Sequence, residues 1–160
     1  MRRMPILCLV GLIALVGCKK NMPSYEAGNV KSARKVLVAG EDTAFKRRVV
    51  AKVIEKLGTQ DWYFRIIGLD QLSTQEAEQY GAILLLAGVQ GGLLDERLTN
   101  YLKLDPTNEK LVLLYTRGVE GPLPESVKLD LQVDAVSSAS RVDRMDMRAE
   151  QLAALLMRRF

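Results

Sequence analysis

The sequence predicts an α/β domain with a mostly parallel sheet and helices on both faces, preceded by an export leader. Three observations carry this. Short apolar runs of strand length alternate with longer segments whose apolar residues recur at helical spacing. The most hydrophobic run after the leader, residues 81–88, holds no polar side chain, as a strand buried on both faces requires. Glycine and proline punctuate the ends of the runs.

The elements follow in order. Met1-Arg2-Arg3-Met4-Pro5 is a short cationic stretch, and residues 6–16 are apolar throughout, broken only by Gly11. A spanning helix needs roughly 20 apolar residues. This run is too short for that and has the length of a signal core. Residues 18–34 contain Lys19, Lys20, Asn21, Pro23, Gly28 and Asn29 without apolar periodicity, and read as a flexible tether. Such a length of flexible chain spans roughly 20–24 Å, so the domain is expected to stand off from whatever holds residue 18. The cations Lys19, Lys20, Lys31, Arg34 and Lys35 are then solvated or near anionic headgroups.

Residues 35–40 are an apolar run ending in Gly40, a buried strand. Glu41-Asp42-Thr43 opens a helix, with Asp42 or Thr43 as its cap. Phe45, Val49, Val50, Val53, Ile54 and Leu57 form the helix stripe, and Gly58 stops it. Residues 62–69, rich in aromatic and β-branched side chains, are a second strand. Ser73-Thr74-Gln75-Glu76 has the form of a capping box for a short helix. After the central strand at 81–88 and a Gly91-Gly92 turn, Leu94, Leu98, Tyr101 and Leu102 make another stripe, ended by Asp105-Pro106. Residues 111–115 are a strand.

Apolar and polar residues alternate over 127–135, as in a strand with one wet face at the sheet edge. The link over 116–126 carries Gly118, Gly121, Pro122 and Pro124 and cannot hold a long helix. Either it crosses as an extended loop or the strand near Leu129 runs antiparallel. Ala149, Leu152, Ala153, Leu155, Leu156 and Phe160 belong to a closing helix.

Composition narrows the function. Of 160 residues 48% are apolar and 26% charged, ordinary for one globular domain. Lys and Arg number 23 against 19 acids; without Arg2 and Arg3 the balance is 21 − 19 = +2, too small to indicate nucleic acid. There is no histidine, so the commonest metal ligand and neutral-pH general base is absent. The two cysteines are Cys8, inside the leader, and Cys18. With Cys18 acylated no thiol remains for a disulfide, a zinc site or a nucleophile. No catalytic residue and no metal site is identified, which points away from an enzyme. The basic clusters at Lys46, Arg47 and Arg48, at Arg141, Arg144 and Arg148, and at Arg158 and Arg159 read as wet helix faces.

Leu15-Val16-Gly17-Cys18 is similar to the lipobox of bacterial lipoproteins. The resemblance implies a signal peptide over 1–17 and a diacylglyceryl group on the Cys18 sulfur. Cleavage ahead of Cys18 and further acylation of the new amino terminus, for instance by palmitate, would follow. Two or more chains give stable anchoring. It implies a cell-envelope protein whose first partner is membrane lipid, facing the periplasm or the cell exterior. Lys19 after the cysteine leans towards the outer membrane.

Over 35–160 the chain resembles the flavodoxin-like family. The resemblance rests on the order of elements and on Gly88-Val89-Gln90-Gly91-Gly92, which is similar to the loop after the family's third strand. Leu111-Val112-Leu113-Leu114-Tyr115 with Gly118, and residues 133–141, are similar to its last two strands. It implies a ligand site beyond the carboxyl ends of the strands. There a first loop rich in hydroxyls holds the FMN phosphate and two further loops hold the ring. Thr43, Gly88, Gly91, Gly92 and Gly118 would carry FMN. In this chain the first loop is Gly40-Glu41-Asp42-Thr43, with one hydroxyl and two acids, and the other loops bring no aromatic residue. Trp62 stands at the opposite end of the sheet. The expected cofactor is therefore none, and the expected role is a tethered module that binds an envelope protein or supports the envelope. The alternative is an FMN-dependent electron carrier or quinone reductase held at the membrane. A carboxylate hydrolase using Glu41, Asp42 and Asp70 ranks below both.

Overall fold

The computed structural model describes residues 20–104, 109–118, 121 and 134–160. Their framework is a six-stranded sheet. Its strands are β1 (Tyr25–Gly28), β2 (Arg34–Gly40), β3 (Trp62–Gly68), β4 (Ala82–Gly88), β5 (Leu111–Arg117) and β6 (Asp134–Ala139), in the spatial order β1-β3-β2-β4-β5-β6. Every neighbouring pair is parallel except β1 with β3. The helices are α1 (Ala44–Leu57), α2 (Glu96–Leu104) and α3 (Met145–Met157).

The period of two along each strand divides the core. Val36, Val38, Phe64, Ile66, Leu84, Leu86, Val112 and Leu114 face one side, where Val49, Val50 and Val53 of α1 and Ala149, Leu152 and Leu156 of α3 cover them. Leu37, Ala39, Ile67, Ile83, Leu85, Leu111 and Leu113 face the other, under Leu98 and Leu102 of α2. All seven residues of β4 are buried, as its lack of polar side chains predicted.

Most elements fall where the sequence placed them. Thr43 is the cap of α1, its hydroxyl accepting the Lys46 N–H at 3.2 Å, and Gly58 closes the helix by donating to the Ile54 carbonyl. Two differences have physical reasons. The segment expected as a flexible tether is fastened from Lys20 onward. Residues 25–28 add a strand to the β3 edge, and Met22 is only 3% exposed. The edge of a parallel sheet exposes unpaired amides and carbonyls that a short strand can satisfy. A four-residue strand with three exposed residues has too little pattern to be read beforehand.

The capping box at Ser73–Glu76 does not form. Two 3-10 segments, Leu69–Thr74 and Ala77–Gln79, occupy this stretch, and the Thr74 hydroxyl donates to the Gln71 carbonyl instead. Burial of Leu69 and Leu72 pins the chain to the sheet before an α-helical turn can extend. The closing helix starts at Met145 and ends at Met157, so Phe160 lies beyond it. The last described strand, β6, is parallel to β5 and begins at Asp134. The alternating residues 127–133, the direction of the strand near Leu129 and the stop at Asp105-Pro106 lie outside the described residues.

Candidate functional site

The carboxyl ends of β2, β4, β5 and β6 surround a hollow of about 420 Å³. Thr43, Lys46, Gly88, Thr116, Gly118 and Arg141 are among its lining residues. Parallel strands end there together, and the helices that follow start from the same edge.

The loop after β2 is closed on itself. The Glu41 N–H donates to the Leu86 carbonyl at 3.1 Å, and the Asp42 N–H donates to the Lys20 carbonyl at 2.6 Å. The Asp42 carboxylate is ion-paired with Arg47 and stands 3.9 Å from Lys20 Nζ. Lys46 points inward from the first turn of α1. It is 1% exposed, and its ammonium donates to Glu41 Oε2 at 2.8 Å. Glu41 is itself buried. Two ions removed from water cost several kcal/mol each, so neither is tolerable there without the other. Gly88 makes room for this pair: a Cβ on it would lie 2.8 Å from Glu41 Oε2.

The loop after β4 turns at Gly91 and Gly92, whose φ angles of 57° and 77° favour residues without a Cβ. Gln90 and Leu93 exchange backbone hydrogen bonds across this turn, leaving Leu93 exposed. Asp95, buried ahead of α2, accepts from Arg97 Nε and Nη2 at 2.9 Å each. Arg97 also donates to Asn21 Oδ1 at 2.8 Å, which ties α2 to the amino-terminal segment. Donating to the Asp95 carboxylate holds the Arg97 guanidinium above its ordinary pKa. At β5, the Thr116 hydroxyl donates to the Ala87 carbonyl at 3.2 Å, and the Tyr115 hydroxyl donates to the Gly121 carbonyl at 2.6 Å.

Of the residues singled out beforehand, Thr43, Gly88 and Gly118 line the hollow, whereas Gly91 and Gly92 shape the adjoining turn. Cys18 lies outside the described residues. Glu41 and Asp42 are engaged in ion pairs, and Asp70 does not line the hollow, so the three do not form a carboxylate set. Lys46, Asp95 and Arg97 were missed. An ordinary wet-face reading of Lys46-Arg47-Arg48 hides that the first of the three falls on the buried side of α1. Among the described residues no group of three acidic or thiol side chains is placed to hold a metal ion, and no helix is long and apolar enough to cross a membrane.

The arrangement is poorly suited to a flavin phosphate. Such a group needs amides and hydroxyls pointing at it from a helix start. Here the Glu41 and Asp42 amides are spent on Leu86 and Lys20, and a carboxylate sits between the loop and Gly88. None of the described residues lining the hollow is aromatic.

No protein-family model matches the chain, and no curated protein sequence matches it. Among solved structures it is similar to the metal-soaked flavodiiron core from Synechocystis, with a TM-score of 0.54 and 12% identity over 81% of this chain. It spans only 36% of that core's length. Weaker likenesses include a flavodoxin, WrbA-like protein from Agrobacterium tumefaciens, with a TM-score of 0.48 and 10% identity over 80% of this chain and 98% of that one. Another is general stress protein 14 from Treponema denticola, solved in complex with FMN, with a TM-score of 0.47 and 8% identity over 79% of this chain and 99% of that one. The fold is flavodoxin-like, with β1 added as an antiparallel edge.

Proposed function

We propose that this chain is a bacterial envelope lipoprotein, held to a membrane by acyl chains on Cys18, whose flavodoxin-like domain works without a flavin. On this reading the domain faces the periplasm or the cell exterior and binds an envelope protein or supports the envelope, and Lys19 favours the outer membrane. The lipobox Leu15-Val16-Gly17-Cys18 supports the anchor. One observation carries the flavin-free reading: the loop that would hold a phosphate has spent the Glu41 and Asp42 amides internally and buries the Glu41–Lys46 ion pair in their place.

A second reading keeps FMN and makes the protein a membrane-held electron carrier or quinone reductase. The hollow favours it, because Thr43, Thr116 and Ser140 bring hydroxyls and Arg117 and Arg141 bring positive charge to its wall.

Titrating FMN into the purified lipidated protein, while following flavin fluorescence, separates the two. No quenching at a hundred-micromolar protein concentration is expected. Quenching at micromolar concentrations, or yellow protein on purification, would replace the flavin-free reading with the flavoprotein one.

A further inference from the structure

We propose that the carboxyl edge of the sheet lies directly against the membrane, with the loops after β4 and β6 in contact with anionic phospholipid headgroups. The proposal rests on acylation of Cys18.

The first argument is the length of the tether. From Lys20 the chain is bound to the domain. The Lys20 carbonyl accepts from Asp42, the Met22 N–H donates to the Gly40 carbonyl at 3.1 Å, and Asn21 accepts from Arg97. A Cβ on Gly68 would lie 2.6 Å from the Asn21 Cβ, so the strap is packed and not merely laid across the surface. Only Lys19 lies between Cys18 and Lys20, and two steps of extended chain span at most roughly 7 Å. An acylated Cys18 is thereby held beside the carboxyl end of β2. The domain then has no slack with which to stand roughly 20 Å off, and its attachment point lies at this edge.

The second argument is what that edge displays. Leu93 and Val142, on the loops after β4 and β6, are 59% and 69% exposed. Exposed Lys20, Arg47 and Arg141 and half-exposed Arg144 surround them on the β2, β5 and β6 side. Among the described residues the acids on this side are Asp42, which is covered by Arg47, Glu41, which is buried against Lys46, and Asp143, which is paired with Arg141. Asp70, after β3, and Glu96, at the start of α2 three residues beyond Leu93, are also exposed. Apolar loop tips within a cationic surround, next to acyl chains, form a surface matched to an anionic bilayer. The opening of the hollow then faces the headgroup layer.

The test uses full-length protein matured in its host and reconstituted into phosphatidylethanolamine vesicles containing phosphatidylglycerol. Mass spectrometry of the mature amino terminus first establishes the acyl groups on Cys18. Outside the leader Cys18 is the sole cysteine, and its sulfur is blocked once acylated. Single Leu93→Cys, Val142→Cys, Asn29→Cys and Gln60→Cys variants therefore take one fluorescent probe each. Asn29 and Gln60 are exposed at the amino end of β3. Quenching by nitroxide-labelled lipid is expected to be at least threefold stronger at Leu93 and Val142 than at Asn29 and Gln60. Inserting a flexible linker of about twenty residues between Lys19 and Lys20 should erase that difference. Arg47→Glu combined with Arg141→Glu should reduce it in vesicles with phosphatidylglycerol. Equal or reversed quenching on acylated protein overturns the orientation and leaves the anchor standing. A mature chain without acyl groups overturns both, and the mass alone reports that.

Discussion

The two ends of the sheet are closed by different physics. At the amino end Trp62, 4% exposed, meets the Phe160 ring edge-on at 5.0 Å and the Phe64 ring at 6.2 Å, and the Arg34 guanidinium lies 5.5 Å over its face. Phe160 rests on Gly81, where a Cβ would stand 2.1 Å from the ring. At the carboxyl end the closure is ionic: Glu41 with Lys46 below the loop after β2 and Asp95 with Arg97 below the loop after β4. An aromatic seal gains from burial outright. A buried ion pair must first offset its own desolvation, so it stabilises little while making each partner indispensable to the other. A seal of the second kind, located where this fold places ligand sites, marks the carboxyl end as the specialised one.

The comparison can be broken most severely at the ion pair. Lys46→Met should cost about 3–5 kcal/mol in urea unfolding, because it removes the ammonium that a buried carboxylate meets. Glu41→Leu combined with Lys46→Met should return most of that loss. A double variant as unstable as the single would remove desolvation as the cause. Gly88→Ala follows, at about 1–3 kcal/mol, because its methyl group crowds Glu41 Oε2. In a Glu41→Ala background the same substitution should cost less than half as much.

At the aromatic end, Phe160→Ala should cost about 1–2 kcal/mol, since its ring is 47% exposed and covers Trp62 only in part. A red shift of Trp62 fluorescence should accompany the loss. The smallest effect concerns pH. Asp143 sits at the carboxyl edge, and the hydrogen bond from Arg141 lowers its pKa. The folded state therefore binds this proton less readily than the unfolded chain. Its contribution is present above the ordinary carboxylate range and is lost as pH falls through the lowered value. Asp143→Asn should lower stability slightly at neutral pH, leave it unchanged in acid and so flatten the acid limb of the profile, whereas Phe160→Ala should shift the whole profile without altering its slope.

Legibility differed along the same axis. Strands β2, β4 and β5 were readable because a strand buried on both faces must be apolar throughout, and α1 because its stripe, cap and stop agree. The expected positions of Thr43, Gly88 and Gly118 at the carboxyl edge followed from the order of elements. The function of Gly88 did not. In the sequence it is a loop glycine suited to a flavin, whereas in the structure it is the space that Glu41 occupies. β1 was hidden because its pairing with β3 is a long-range backbone contact that leaves almost no side-chain pattern.

The sequence by itself determined the α/β class, the central strands, and the helix boundaries near Thr43 and Gly58. Each of these is written in local pattern: hydrophobic period or cap chemistry. Only the tertiary structure decided that Lys20–Gly28 is strapped to the domain, that Lys46 turns inward to Glu41, and that Arg97 bridges Asp95 and Asn21. These depend on which surfaces meet across distant parts of the chain. A charged residue reads the same in sequence whether its partner lies in water or in the core.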